Sequence, residues 1–471
     1  MNNDEYYNDE EFQEILKNYE QAVSNGQSVY MDVDDLADIA EYYQGKGMYD
    51  EAHDAIERAF ELDPKSTIVL CFKIHDALYN DNIEAAEEYL ENIIDRESPE
   101  YVYSKAEILI AKEEIDEADS FLREKYVEVP PDEHQDFVLD AANLYSDYGY
   151  DEKAMEWMMR AHPDNTEDFK ELMAHTLLGL GKYEDSERIF NELIDRDPFE
   201  KRYWNALASA QFMNEDYSAS VTSSEYAIAI DPEDPEAIVA KANGLYQLEN
   251  FEESLKYYER YSDKVPDDEF GFLHQGTCLI NLGRYEEALE RLQEAERIAP
   301  PDSYYLTEIY QETAFTYSEL KQPDVALSYI DKTDTLDCDH IDMQVIKGHI
   351  LLANDRIDKA ELMFKKAIFD SGNAPRTLLR IIVSLYDNHY VNATYKMFQK
   401  FFKYVGNDWN EGYSYMALCC WDMKRFPEFL NYLKMACEKN PSEARLVLAR
   451  LFPEDMKPEK YYDYMLERLK E

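Results

Sequence analysis

One short stretch near residue 340 brings together the side-chain types that bind metal ions. Asp337, Cys338, Asp339, His340 and Asp342 offer three carboxylates, a thiol and an imidazole within six positions. Groups of these types are the ligands that transition metals take in proteins. The same stretch also fits a solvated connection between two helices. We favour this second interpretation, so no metal ion is predicted.

A second stretch, residues 179–182 (Gly-Leu-Gly-Lys), partly matches a phosphate-binding loop. Thr176 occupies the position of the required first glycine, and Tyr183 follows the lysine, so we interpret the stretch as a turn between helices. The sequence contains no His-Glu-x-x-His, Gly-x-Ser-x-Gly or Gly-x-Gly-x-x-Gly motif. Carboxylate pairs are too frequent for one to stand out. The sequence therefore predicts a protein that is not an enzyme and needs no cofactor.

The charge of the chain limits its partners. Its 471 residues include 101 Asp and Glu against 47 Lys and Arg, a formal net charge of −54. Such a surface repels phosphate backbones and anionic lipids, so no nucleic acid and no membrane is expected, and basic partners are favoured. Hydrophobic residues at 45%, with 39 tyrosines, can form a buried core. Glycine (14) and proline (17) are few, which is typical of a helical protein.

The sequence contains neither a targeting signal nor a cysteine pair of a metal or redox site. The first residues have neither the basic start nor the apolar stretch of a secretory signal, and no run of about 18 apolar residues occurs. The expected compartment is the cytoplasm. The cysteines form no Cys-x-x-Cys pair, so we interpret them as buried free thiols. They are Cys71, Cys278, Cys338, Cys419, Cys420 and Cys437.

A six-residue sequence motif recurs along the chain. It reads Gly-Met-Tyr-Asp-Glu-Ala at 47–52, Gly-Lys-Tyr-Glu-Asp-Ser at 181–186 and Gly-Arg-Tyr-Glu-Glu-Ala at 283–288. One such unit cannot bury its own apolar face, whereas a stack of units can. The last position of this motif, which we call the marker, recurs at intervals of 32 to 38 residues: Ala52, Ala86, Ala118, Ala154, Ser186, Ser220, Ser254, Ala288, Ala326, Ala360, Ala393 and Phe429.

This period and pattern resemble the tetratricopeptide repeat family, from about residue 33 to about residue 443. In the eighth unit Gly276, Gly283, Tyr285, Ala288 and Pro300 stand at the family's positions. The resemblance implies an all-α fold: a right-handed α-solenoid of about twelve antiparallel helix pairs. Capping helices are expected at its N- and C-terminal ends.

Small residues explain why the two helices of a unit can approach closely. Ala208, Gly276 and Gly348 leave room for the roughly 8–10 Å between helix axes at which side-chain ridges fill grooves. Glycine in the turn supplies the positive φ that ends the first helix. The second and third units depart from this pattern, because Asp81 and Glu113 stand where the turn glycine is expected.

The units and the segments beside them divide the chain into four parts. Residues 1–32 are predicted to form an acidic tail and a capping helix, and residues 33–300 to form repeats 1–8. Residues 301–443 form repeats 9–12 after a short insertion, and residues 444–471 form the C-terminal capping helices. Phe12, Leu16 and Tyr19 have helical spacing in the first cap, and Gly26 suits its end.

In this family the first helix of each unit lines a concave groove that binds the partner. The positions implied by the resemblance mix amides, which can donate and accept, with aromatic anchors. The only cation among them is Arg202, so a clamp for a terminal carboxylate is not expected. The histidines are interpreted as polar groups of the groove and not as catalysts. The predicted residues are Tyr103, Asn143, His175, Arg202, Asn205, Ser209, Phe212, Asn243, Tyr246, Thr277, Phe315, His349 and Trp421.

Charge is distributed unevenly along the chain. Residues 376–471 carry 15 Lys and Arg against 13 Asp and Glu, so the whole negative excess belongs to the first 375 residues. Lys396, Lys400 and Lys403 alternate with aromatic residues, a pattern that can bind nucleic acid. We interpret the aromatic residues as core and the lysines as the solvated face of one helix.

These observations predict a non-enzymatic scaffold or adaptor. It would bind basic or amphipathic segments of partner proteins in a long acidic groove. Two alternatives stay open. The chain could be a structural subunit that self-associates through its acidic body and its near-neutral C-terminal end, or a regulator that senses a small ligand.

Overall fold

The computed structural model describes residues 7, 10–25, 31–45, 48–162, 166–453 and 456–469. These residues form α-helices and short 3-10 turns and contain no β-strand, so the predicted all-α class is confirmed. The chain divides into two compact units, Met1–Asp231 and Pro232–Glu471. The first six residues of the predicted tail, together with Gly26 and Gly47, lie outside the described residues.

Among the described residues of the first unit, the helix Glu10–Ser24 precedes six helix pairs. Three residues connect the two helices of each pair, so the helices are antiparallel and contact each other along their length. Pairs 1 to 6 are Val33–Gly45 with Tyr49–Leu62, Thr67–Tyr79 with Ile83–Asn92, Pro99–Ala111 with Ile115–Glu128, His134–Asp147 with Asp151–Met158, Glu167–Gly179 with Tyr183–Ile194, and Lys201–Met213 with Tyr217–Ile230.

The second unit contains six further pairs and two last helices, Pro441–Leu448 and Tyr461–Arg468. The predicted number of about twelve pairs with helical caps is therefore confirmed. Pairs 7 to 12 are Pro235–Gln247 with Phe251–Lys264, Glu269–Asn281 with Tyr285–Ile298, Leu306–Glu319 with Pro323–Lys332, His340–Ala353 with Ile357–Asp370, Pro375–Asp387 with Val391–Val405, and Tyr413–Asp422 with Phe426–Lys439.

The turns inside pairs 2 to 12 each contain a left-handed residue. Gly181 and Gly283 have φ of +70° and +71°, as the sequence predicts. Asp81 and Glu113, which replace the glycine, also adopt positive φ, at +54° and +62°. The reason is the hydrogen bonding of the turn, in which the next amide donates back to the first helix, as Asn82 N does to Ala77 O at 2.8 Å. Non-glycine residues therefore accept backbone strain here.

Close helix contact depends on the small residues that the sequence singled out. A Cβ atom on Gly276 would stand 2.7 Å from the Leu292 side chain, and one on Gly348 would stand 2.3 Å from Phe364. Where the marker residue is serine, its hydroxyl adds a bond. Ser186, Ser220 and Ser254 each donate to a carbonyl oxygen twelve residues earlier, at 2.8 Å.

Both ends of the array are covered by helices. Phe12, Leu16 and Tyr19 are buried in one cluster with residues of pair 1. At the other end Tyr461 and Met465 are buried in a cluster with pairs 11 and 12. These contacts remove the apolar ends of a repeat stack from water.

Candidate partner-binding face

All thirteen predicted residues lie on the first helices of their pairs, seven in the first unit and six in the second. We call the surface that these helices present in each unit the first-helix face. That a partner binds there stays a prediction. The residues nevertheless differ in accessibility and in their neighbours, and those differences decide what each can do.

Near the end of the first unit, an arginine balances the nearest carboxylate. Arg202 is half-exposed, and its guanidinium lies 3.4 Å from Glu171 and 3.8 Å from Glu200. Burial raises the pKa of the Glu171 carboxyl, and Arg202 opposes this shift. Burial also lowers the pKa of His175, so its imidazole is held neutral beside Arg202.

Other carboxylates of the first unit receive hydrogen bonds from neutral side chains. The Tyr103 hydroxyl donates to Asp140, whose pKa is raised by burial and lowered in part by this bond. The Tyr148 hydroxyl donates to Glu107 at 3.3 Å. The exposed Asn143 is less available to a partner, because its amide donates to Asp147 on the same helix at 3.0 Å. His75 Nδ1 lies 3.0 Å from the same Glu107 carboxylate.

Five predicted residues mainly serve packing. Asn205 is 3% exposed and Thr277 is 7% exposed, so neither offers a side chain to a partner. Phe212 packs edge-on against Tyr217 across the turn of its own pair, with ring centroids 5.3 Å apart. Trp421 contacts Phe429 in the last core cluster, at 5.0 Å. Ser209 is partly buried on the same helix as Asn205.

The first helices of pairs 7 and 8 form an ordered polar wall in the second unit. Asn243 Oδ1 accepts a hydrogen bond from the Tyr258 hydroxyl at 2.6 Å. Asn281 donates from its side-chain amide to the Tyr246 hydroxyl at 3.1 Å. Both asparagines are thus held in place by tyrosines. This wall positions polar groups and aromatic rings side by side.

Beside this wall, pair 9 presents two carboxylates without a cation. Glu308 and Glu312 stand one turn apart on the helix Leu306–Glu319, which contains no Lys or Arg. Among the described residues no basic side chain pairs with either of them. Burial raises the pKa of Glu308, and burial together with the Glu308 charge raises the pKa of Glu312 to about 7. The charge of Glu312 helps to raise the pKa of Tyr246, and the charge of Glu308 helps to raise that of Tyr258.

The residues predicted to contact a partner do not include these two glutamates. The prediction favoured amides and aromatic residues at four helix positions, and glutamates are so common in this chain that they carried little weight. The sequence nevertheless indicates unpaired carboxylates here, because this first helix contains three glutamates and no basic residue. The exposed ring of Phe315, which was predicted, lies on the same helix.

The face changes again in pair 10. His349 Nδ1 lies 3.0 Å from Ser384 Oγ, and burial lowers the pKa of the imidazole. Arg380 forms an ion pair with Asp342, with 2.6 Å between Arg380 Nη1 and Asp342 Oδ1. Pair 10 therefore resembles the first unit, in which a cation or a neutral donor contacts Glu171, Asp140 and Glu107.

The two stretches that could do chemistry are structural. Asp339 begins the helix His340–Ala353, and its carboxylate accepts from the amides of Ile341 and Asp342 at 3.0 Å. Gly181 is the left-handed residue of a turn. No group of three metal-binding side chains occurs within the part of the chain that the structure describes. All six cysteines are free and lie buried or partly buried.

Comparison with known proteins agrees with the repeat pattern. One model of the tetratricopeptide repeat matches residues 172–235 and 239–303, and another matches residues 36–66. The resemblance inferred from the sequence is confirmed, because these three segments match the tetratricopeptide repeat. Such repeats support a role as a protein-interaction scaffold. No helix among the described residues is long and apolar enough to cross a membrane.

Individual relatives share only part of the chain. A segment of 120 residues is 27% identical to the STIP1 homolog of Dictyostelium discoideum and covers 26% of this chain and 21% of that protein. MamA from Desulfovibrio magneticus RS-1 is 17% identical, with a TM-score of 0.35 over 37% of this chain and 96% of that one. YrrB, described as a TPR protein with an unusual peptide-binding site, is 20% identical, with a TM-score of 0.32 over 38% of this chain and 90% of that one.

Proposed function

We propose that this protein is a non-enzymatic scaffold of the cytoplasm that binds basic or amphipathic segments of partner proteins on its first-helix face. The observation that carries the proposal is the pair of glutamates in the second unit, Glu308 and Glu312. They face no Lys or Arg among the described residues, whereas Glu171 and Asp342 each have an arginine.

The environment of these two carboxylates favours a cationic partner. A raised pKa means that the ionised form lacks stabilising neighbours in the free protein. A lysine or arginine of a partner would supply the missing charge in a partly desolvated place, where ion pairs are stronger than on an open surface. The negative charge of the whole chain would speed the approach of such a segment.

The neighbouring groups fit a peptide that also carries apolar and backbone groups. Tyr246 and Phe315 offer aromatic surface beside the glutamates. Asn243 and Asn281 are already oriented by tyrosines, so their remaining amide groups can bond to a peptide backbone with little loss of side-chain freedom. The predicted partner is therefore a basic segment with apolar residues.

Fluorescence anisotropy with a labelled twelve-residue peptide of alternating lysine and leucine tests the proposal. We expect the variant Glu308→Gln with Glu312→Gln to bind this probe about 10-fold more weakly than the unchanged protein. Glu286→Gln with Glu290→Gln is the matched control, because these glutamates have the same spacing on the second helix of pair 8. Equal losses in both variants would show that only net charge matters and would refute the site.

A further inference from the structure

Two helices at distant places in the sequence carry opposite charge in the same spacing. The helix Val391–Val405 contains Lys396, Lys400 and Lys403 and no acidic residue. The helix Ile83–Asn92 contains Glu84, Glu88 and Glu91 at the same intervals and no basic residue. Both are second helices of their pairs, pair 11 in the second unit and pair 2 in the first unit. We call these residues the lysine stripe and the glutamate stripe.

The side chains of both stripes are exposed and lack ion-pair partners. All three lysines and all three glutamates are exposed, and no described residue forms a salt bridge with any of them. Other lysines of second helices behave differently: Lys256, Lys365 and Lys434 each pair with a glutamate on their own helix. Lys359 and Lys366 on the second helix of pair 10 are also exposed and form no salt bridge with a described residue. The lysine stripe differs from them because it places three such lysines on a helix without acidic residues.

The spacing makes the stripes complementary. Residues four and seven positions apart lie on one side of a helix, about 6 and about 10.5 Å along its axis. When the two helices lie side by side, each lysine of one can meet a glutamate of the other. Each stripe also ends near an exposed apolar side chain, Tyr404 at 59% and Ile94 at 81% exposed. A parallel arrangement would bring these two together at one end of the contact.

We propose that the lysine stripe of one copy of this chain docks on the glutamate stripe of a second copy. The two stripes are different surfaces, so the contact is heterologous. Each copy in such a complex keeps one stripe unoccupied, and a third copy can therefore add. The expected product is an open chain of copies, or a closed ring if the rotation between copies permits one, and not a dimer with a two-fold axis.

A second copy suits the lysine stripe better than an extended polyanion does. A membrane surface or a nucleic acid duplex would also meet the remaining surface of the chain, which carries a large negative excess. The glutamate stripe of a second copy meets the near-neutral region around the lysine stripe, and salt screens the repulsion between the remaining acidic surfaces of the two copies. The chain itself supplies this glutamate stripe, at the same concentration as the lysine stripe it complements.

Salt should affect this association in two opposed ways. At very low ionic strength the net charge of −54 on each copy makes whole molecules repel. At about 0.15 M the screening length is about 8 Å, which suppresses that repulsion while contacting charges still attract. At high salt the contacts weaken as well. Association should therefore be strongest at intermediate ionic strength.

Sedimentation velocity on the full chain tests the proposal. Exposed ion pairs are individually weak, so we expect a dissociation constant of roughly 0.1–1 mM and would use protein up to about 0.5 mM. The average mass should rise with concentration at about 0.15 M NaCl and fall to that of one chain at about 0.5 M. A mass that does not depend on concentration at intermediate salt would overturn the proposal.

Charge reversal separates the stripes from general electrostatics. The triple variant Lys396→Glu, Lys400→Glu, Lys403→Glu should be monomeric, and so should the triple variant Glu84→Lys, Glu88→Lys, Glu91→Lys. A mixture of the two should associate again, because each stripe then has an opposite partner on the other variant. If the mixture stays monomeric while both variants keep their helical circular dichroism, the stripes do not contact each other.

A matched control changes the same number of charges elsewhere. Lys256→Glu, Lys365→Glu and Lys434→Glu reverse three lysines of second helices in the second unit that already have partners. This variant should associate as the unchanged protein does. If it also becomes monomeric, the lysine stripe has no special role and the proposal fails.

Discussion

The first unit and pair 9 of the second unit treat the carboxylates of their first-helix faces differently. In the first unit Glu171 pairs with Arg202, and Asp140 accepts from the Tyr103 hydroxyl. In the second unit Glu308 and Glu312 have neither a cation nor a hydrogen-bond donor among the described residues. Helix pairs of the same architecture thus differ. In the first unit the carboxylates bind neighbouring side chains, whereas in pair 9 they stay open to a partner.

This difference separates charge that belongs to the fold from charge that can bind. A chain of 101 acidic residues offers no obvious site, because almost every helix carries several of them. Only some of these carboxylates are accessible and have a pKa raised by burial. Still fewer of them lack a hydrogen-bond donor. The contrast between Glu171 and Glu308 therefore identifies a site that composition alone cannot.

The largest expected effect comes from giving the second unit the arrangement of the first. Glu308→Arg places a cation one helical turn from Glu312, much as Arg202 stands beside Glu171. We expect the affinity for the lysine–leucine probe to fall about 50-fold, because one charge is reversed and the other is neutralised. Anisotropy titration at about 0.15 M salt measures the change.

The control for this variant is Glu286→Arg, which makes the same change of charge on a second helix. It should weaken binding by less than about threefold, through net charge alone. A similar loss in both variants would mean that the two units do not differ in the way described.

The reverse change should create a site in the first unit. Arg202→Glu removes the cation beside Glu171 and adds a carboxylate, so the first unit would come to resemble the second. We expect one additional probe to bind, about 10-fold more weakly than the first. Isothermal titration calorimetry would show the stoichiometry rise from one to two. An unchanged stoichiometry would indicate that unpaired carboxylates are not sufficient for binding.

Stability should depend on pH through Glu312. Its pKa is raised from 4.5 to about 7 in the folded protein. A proton is therefore bound more tightly in the folded state, and the stability that it contributes is present below pH 4.5 and lost as pH rises through 7. Glu312→Gln, which resembles the protonated form, should stabilise the protein by about 1 kcal/mol at pH 8 and leave it unchanged near pH 4. Urea unfolding at both pH values measures this.

The smallest expected effect concerns a neutral donor of the first unit. The Tyr103 hydroxyl favours the ionised form of Asp140. Tyr103→Phe should therefore destabilise the protein by about 0.5 kcal/mol at pH 8, and by less at pH 4. Tyr79→Phe is the control in the same unit, because Tyr79 is 83% exposed and makes no hydrogen bond to a described residue. Equal changes would show that the bond to Asp140 contributes nothing.

Most of the fold was predictable, because repetition averages over local exceptions. The marker series and the turns place every helix pair, although Asp81 and Glu113 contradict the local preference for glycine. Their positive φ follows from the hydrogen bonds of the turn, which all pairs share. The bonds from Ser186 and Ser254 to the preceding helix were not predicted, since a serine in that place reads only as a small residue.

The candidate site was less predictable, because accessibility depends on neighbouring pairs. Asn205 and Thr277 occupy the same face as Asn243, yet packing against adjacent helices buries them. Whether a glutamate has a donor is likewise set by residues 30 or more positions away, as for Glu171 and Arg202. Such pairings follow from three-dimensional contacts that one sequence does not display.

The bonds from tyrosine hydroxyls to carboxylates also affect how the protein responds to alkali. Forming a phenolate at Tyr103 or Tyr148 would place a second negative charge beside Asp140 or Glu107, in surroundings that already disfavour charge. Burial and these carboxylates therefore raise the pKa of both phenols. In an optical titration these rings should absorb as phenolate only when the helices around them come apart, so the ultraviolet spectrum at high pH becomes a report on the integrity of the first unit.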